Sequence, residues 1–141
     1  MSISDQFMPI NIAVLTISDS RTEADDTSGK VLVDRATEAG HQVIDKRIVP
    51  DDIYQIRAAV SSWIADEGVN AVITTGGTGV TGRDGTPEAI KPLLDKEIEG
   101  FGEIFRMLSY EEIKTSTVQS RALSGVANGT YLFCLPGSSG A

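Results

Sequence analysis

Three times within the first ninety residues, a short apolar run rich in β-branched side chains gives way to polar turn residues and then to apolar residues at helical spacing. Ile10 to Ser18 (INIAVLTIS) is the first run, ended by Ser18-Asp19-Ser20. Asp25, Asp26 and Thr27 then offer a helix N-cap, and Val31, Leu32, Ala36 and Ala39 keep helical spacing up to Gly40. His41 to Val49, the turn Pro50-Asp51-Asp52 and a helix over Ile53 to Asp66 form the second round, with Ile56, Ala59, Val60, Trp63 and Ile64 on one face. Val69 to Thr75 opens the third, and Thr86 as N-cap with Pro87 at the first helical position restarts a helix beyond it. Because parallel strands need a crossover of a dozen or more residues, this alternation predicts an α/β fold. The expected architecture is a three-layer, doubly wound, mainly parallel sheet with helices on both faces. Further on, Glu103 to Ile113 reads as a helix, and Thr115-Ser116-Thr117 leads into a short one ending at Leu123. Asn128-Gly129 reads as a turn, and Tyr131 to Leu135 as the last strand.

In such sheets ligands bind outside the carboxyl ends of the strands. The segments leaving those ends are Ser18-Asp19-Ser20, Pro50-Asp51-Asp52, Thr75 to Gly85 and Pro136-Gly137-Ser138, so glycine loops and carboxylates converge on one edge. Gly77, Gly79 and Gly82 satisfy G-x-G-x-x-G, but in the dinucleotide fingerprint the helix opens within the glycines, whereas here it starts only at Thr86-Pro87. No Gly-Lys-Ser/Thr follows, so a P-loop is excluded as well. The long loop is expected to wrap a ligand through the backbone N–H groups of Gly76 to Gly79 and the hydroxyls of Thr75, Thr78 and Thr81. Asp51 and Asp84 share that edge, and two carboxylates beside a polyphosphate suit Mg²⁺-assisted phosphoryl or nucleotidyl transfer.

Composition narrows the chemistry further. Twelve Lys plus Arg against twenty Asp plus Glu give a net charge of -8, which repels a nucleic-acid backbone. One cysteine and one histidine cannot build a Cys/His zinc site, so any metal must be held by oxygen, as Mg²⁺ commonly is. Cys134 reads as core, His41, at the start of a strand, as structural, and Trp63, Met8 and Met107 as packing. No apolar run approaches the roughly 20 residues that span a bilayer. The N-terminus also lacks a basic region followed by an apolar stretch, so a cytoplasmic protein of one domain over residues 1–141 is expected.

Thr74-Thr75-Gly76-Gly77-Thr78-Gly79, Arg83-Asp84, Thr86-Pro87-Glu88-Ala89, Glu99-Gly100-Phe101-Gly102-Glu103 and Leu135-Pro136-Gly137-Ser138, in this order, resemble the molybdenum cofactor biosynthesis family of MoaB and MogA. Ser18-Asp19, Asp26-Thr27-Ser28-Gly29 and Ser120-Arg121-Ala122 are similar to it too, and the run from Glu99 to Ala127 is most similar to MoaB. The resemblance implies a molybdopterin-binding α/β domain, assembled as a trimer or hexamer, that transfers AMP from Mg²⁺-ATP to molybdopterin. A partner protein would use the adenylyl-molybdopterin for molybdate insertion. By the same resemblance Asp84 matches the essential aspartate of the glycine loop and Asp51 the second acidic position of the active adenylyltransferases, the two organising Mg²⁺. Thr75, Gly76, Gly77, Thr78 and Gly79 would embrace the nucleotide phosphates. Ser18, Asp19 and the loop Pro136, Gly137 and Ser138 would line the pterin or nucleotide side. The alternative is a catalytically silent MoaB that binds pterin or a partner without turnover. The family continues into a C-terminal helix after its Leu-Pro-Gly-Ser, which this sequence, ending at Ala141, is expected to lack.

Overall fold

In the computed structural model the described residues are 8–20, 22, 24–78, 84–100 and 121–137. The helix expected over Glu103 to Ile113 lies outside them, as do Phe101, Ile104, Phe105 and Leu108, the apolar residues that the sequence offers as a contact between subunits. Gly79, Thr81, Gly82, Arg83 and Ser138 do as well.

The three strand–helix rounds form as their periodicity dictates. Strand β1 is Asn11–Ile17, helix α1 Thr27–Glu38, strand β2 Gln42–Val49, helix α2 Ile53–Ile64 and strand β3 Ala71–Thr75. Both long helices begin at an aspartate. The Asp26 carboxylate accepts the Gly29 N–H at 3.0 Å, and Asp52 accepts those of Tyr54 and Gln55 at 2.8 and 3.1 Å, each satisfying donors that the first turn leaves orphaned. Helix α3 (Thr86–Ile90) is short and runs into a 3₁₀ turn over Lys91–Leu93. Its N-cap is Gly85, not Thr86: the Thr86 hydroxyl is buried and donates to the Gly76 carbonyl at 2.9 Å.

Two strands were not anticipated. Strand β4 (Lys96–Glu97) and strand β5 (Leu123–Ala127) precede β6 (Thr130–Leu135), so Leu123 opens a strand and does not end a helix. The physical reason lies in Asn128-Gly129, whose φ values of 50° and 78° make the two-residue hairpin turn that joins β5 to β6.

The sheet order is β2-β1-β3-β6-β5-β4, parallel from β2 to β6 and antiparallel at β5 and β4. One face carries Ala13, Leu15, Val72, Leu132 and Cys134 against Ile56, Val60, Trp63 and Ile90 of α2 and α3. The other carries Ile12, Val14 and Ala71 against Ala36, Leu32 and Val33 of α1. Leu15, Ile56, Ile90 and Leu132 are fully buried, each worth about 1.5–3 kcal/mol of removal from water. Since β1 lies between β2 and β3, the chain reverses its winding direction at the β1/β3 pair. The crevice at the carboxyl ends of those two strands is the switch point where open α/β sheets bind ligands.

Candidate active site

Strands β1 and β3 end at that crevice in Thr16, Ile17 and Ser18 on one side and Thr75 and Gly76 on the other. Together with Ser28 from α1 and Gly137 beyond β6 they enclose a cavity of about 180 Å³. Its walls are tied to one another. Thr75 Oγ1 donates to the Pro136 carbonyl at 3.0 Å, Ser28 Oγ to that of Gly137 at 2.6 Å, and the Gly76 N–H to that of Leu135 at 2.9 Å. The last bond corrects an expectation: the Gly76 N–H extends the β3–β6 ladder and is not offered to a phosphate. A larger open groove of about 780 Å³ between α1 and β2 holds His41, Asp45 and Lys46 but no part of the glycine loop, so the smaller cavity is the chemically equipped one.

Beneath the cavity the buried Asp26 carboxylate accepts the Thr16 hydroxyl at 2.6 Å and pairs with Lys46 Nζ at 3.0 Å. Burial works to raise its pKa. The Thr16 hydroxyl, the Gly29 amide and the Lys46 ammonium outweigh burial and hold it below the ordinary carboxylate range. One wall of the cavity therefore rests on a satisfied, ionised group.

The adjacent aspartates after β2 divide their labour. Asp52 caps α2, while Asp51 turns to the glycine loop and accepts the Gly85 N–H on Oδ1 at 3.0 Å. The Asp51 N–H in turn donates to Asp19 Oδ1 at 3.0 Å, so Asp19 braces Asp51 from the segment that follows β1. A Cβ placed on Gly77 would lie 3.1 Å from Asp51 Oδ2 and 2.1 Å from Thr86 Oγ1, at a φ of +70° that favours glycine. The loop and the carboxylate approach each other this closely only because residue 77 has no side chain. The Gly77 carbonyl takes the Thr86 N–H at 3.1 Å, which brings the chain on either side of residues 79–83 together, with Asp84 next to Gly85.

Thus Ser18, Asp19, Asp51, Thr75, Gly76, Gly77, Thr78, Asp84, Pro136 and Gly137 gather at one edge. Gly79 and Ser138 lie outside the described residues. His41 stands elsewhere, accepting the Ile10 N–H on Nδ1 at 3.2 Å. Cys134 is fully buried, its thiol pushed up to about 12 chiefly by that burial, and is no nucleophile at neutral pH. Among the described residues no group of three or more His, Cys, Asp or Glu is placed to hold a metal, and no helix is long and apolar enough to cross a membrane.

A family model described as a probable molybdopterin binding domain matches residues 13–141. The chain belongs to the molybdopterin-binding family of MoaB and MogA. It is 60% identical over 136 residues to molybdenum cofactor biosynthesis protein B of Escherichia coli K12, covering 96% of this chain and 80% of that one. A crystal structure of a molybdenum cofactor biosynthesis protein B superposes with a TM-score of 0.91 at 48% identity, over 94% of this chain and 83% of the other. The tungsten cofactor synthesizing protein MoaB of Pyrococcus furiosus does so with 0.85 at 39%, over 96% and 87%. By sequence and by structure, then, the chain is a member of the molybdenum cofactor biosynthesis family.

For this MoaB/MogA-family chain, three residues of the site escaped the sequence argument. Ser28 and Thr16 sit inside a helix and a strand, and only the topology shows that both open onto the cavity. Arg121 belongs to a stretch that resembles the family, but its partners are not local. Its main-chain N–H donates to the Thr78 carbonyl at 2.8 Å, and its guanidinium donates to the Asp84 carbonyl and pairs with Glu88 at 2.5 Å. Local sequence carries no sign of those bonds.

Proposed function

We propose that this chain transfers AMP from Mg²⁺-ATP to molybdopterin, releasing pyrophosphate and forming adenylyl-molybdopterin. The observation that carries the reading is the fastening of Asp51 to Gly85 at the foot of the glycine loop. That contact brings a carboxylate from the end of β2 beside the segment bearing Asp84, at the edge of a cavity lined by hydroxyls. A magnesium ion held through one or two carboxylates, and otherwise by substrate phosphates, needs no cluster of three acidic residues, so the donor set fits that ion. Asp51 and Asp84 are the residues that would hold it, and when bound it neutralises charge developing on the phosphates. The chain itself contributes orientation. Asp19 fixes the Asp51 backbone, Gly77 leaves room for close approach, and Thr16, Ser18, Ser28 and Thr75 line the cavity that would take the molybdopterin or nucleotide.

Incubating the purified protein with ATP, Mg²⁺ and molybdopterin, and resolving the adenylylated product, tests this. Asp84→Asn should abolish transfer and leave pterin binding intact, since the carboxylate deals with metal and phosphate charge. Near-normal turnover in that variant refutes the assignment. Pterin binding without product in the unaltered protein supports instead the alternative of a member that binds pterin or a partner without turnover.

A further inference from the structure

We propose that Arg121 is a positioning residue that, together with Asp51, locks the peptide plane between Asp84 and Gly85. The Asp84 carbonyl and the Gly85 N–H belong to one planar unit. The carbonyl end accepts from the Arg121 guanidinium, and the N–H end donates to Asp51 Oδ1 at 3.0 Å. One peptide is thus gripped between a cation at its oxygen and a carboxylate at its hydrogen, the polarity that each end favours. A flip of this plane would break two charge-assisted hydrogen bonds at once.

The grip extends on both sides. Arg121 also donates its main-chain N–H to the Thr78 carbonyl at 2.8 Å, so a single residue is bonded to Thr78 before residues 79–83 and to Asp84 after them. The other arm of the same guanidinium pairs with Glu88 on α3 at 2.5 Å. Arg57 of α2 holds α3 as well, donating to the carbonyls of Ala89 and Glu88 at 3.0 Å each. A planar fork suits a carbonyl and a carboxylate in fixed relation, and an ammonium does not reproduce it. The consequence falls on Asp84, whose backbone is set by that plane, and so on its register with Asp51.

The kinetic part rests on the adenylyl-transfer reading, whereas the conformational part stands apart from it. The test compares the full chain with Arg121→Met and Arg121→Lys. The latter keeps the positive charge and the main-chain bond to Thr78, so it carries the test should Arg121→Met fail to fold. Amide hydrogen exchange of Gly85, followed by NMR, should quicken about ten-fold or more in both variants, with Val14 and Val72 in the sheet interior unchanged. In adenylyl transfer, kcat should fall about ten- to a hundred-fold while KM for ATP stays within about three-fold, because misplacement of an aligned group costs turnover more than binding. Wild-type protection of Gly85 in Arg121→Lys overturns the proposal, as does rapid exchange with undiminished kcat. If the unaltered protein transfers no AMP, the functional reading falls and the Gly85 exchange alone decides the clamp.

Discussion

Gly77→Ala is the perturbation whose cost follows most directly from the structure. Gly77 has a φ of +70°, and forcing a Cβ-bearing residue there costs about 1–2 kcal/mol. The new Cβ would lie 2.1 Å from Thr86 Oγ1, a fully buried atom that donates to the Gly76 carbonyl at 2.9 Å. Relief requires Thr86 to turn away, and a buried polar group left without its partner costs about 1–3 kcal/mol. The sum, about 2–5 kcal/mol, is large against a typical domain stability of about 5–15 kcal/mol, yet most of that range leaves the chain folded. The two contributions separate in a double-mutant cycle. Thr86→Ala deletes the clashing oxygen, so Gly77→Ala in that background should cost the backbone component and the milder pressure on Asp51 Oδ2 at 3.1 Å, giving a coupling of about 1–3 kcal/mol in the compensating direction. Urea unfolding of the four proteins measures it, with unchanged m-values as the control. Additivity within about 0.5 kcal/mol would show that the two residues do not collide, and the close packing of the glycine loop on α3 would be refuted.

Three further expectations concern the site and the assembly. Asp26→Asn should destabilise by about 3 kcal/mol at neutral pH, because Lys46 is left beside a neutral group in a mostly buried pair. Since the folded-state pKa of Asp26 is lowered, its contribution is present above the unfolded value, near 3.8, and is lost as pH falls through the folded one. The gap between wild type and variant should therefore narrow in acid unfolding below that range, and a gap independent of pH would contradict the ion pair. Chelating Mg²⁺ should sharply weaken ATP binding and leave pterin binding nearly unchanged, as read by calorimetric titration; equal ATP affinity in EDTA would remove the metal from the nucleotide site. Light scattering should find a trimer or a multiple of it, and a monomer at micromolar concentration would count against that assembly.

The sequence was most legible where structure is decided locally. The runs of β1, β2 and β3, the helical faces of α1 and α2, and the aspartate cap of α1 each depend on neighbours within a turn or two, and each formed. The convergence of Asp19, Asp51 and the glycines followed from the parallel topology, because strand order decides which ends share an edge. Strand β5 escaped because LSGVA has little apolar weight. Its Gly125 reflects a constraint from elsewhere in the chain, where a Cβ would meet Leu94 Cδ1 at 2.6 Å. Thr86, placed where a cap is expected, is claimed by the Gly76 carbonyl ten residues earlier. Arg121 bonds to groups 33 and 37 residues away, a separation at which no periodicity survives.

Strand β3, at the centre of the sheet, takes one neighbour that precedes it in sequence, β1, and one that follows it at long range, β6. During synthesis β1, β2 and β3 can pair as soon as they emerge, yet the far edge of β3 waits for a partner, since 61 residues separate Thr75 from Pro136. At roughly 5–20 residues per second the nascent chain exposes that apolar edge for several seconds, a window in which holdase chaperones or a neighbouring polysome product can reach it. The bonds that end the window, from Gly76 to Leu135, Thr75 to Pro136 and Ser28 to Gly137, are the same ones that close the cavity. Ligand binding is thereby withheld from any chain whose sheet is still open, so occupancy of the cavity would report that β6 has docked beside β3.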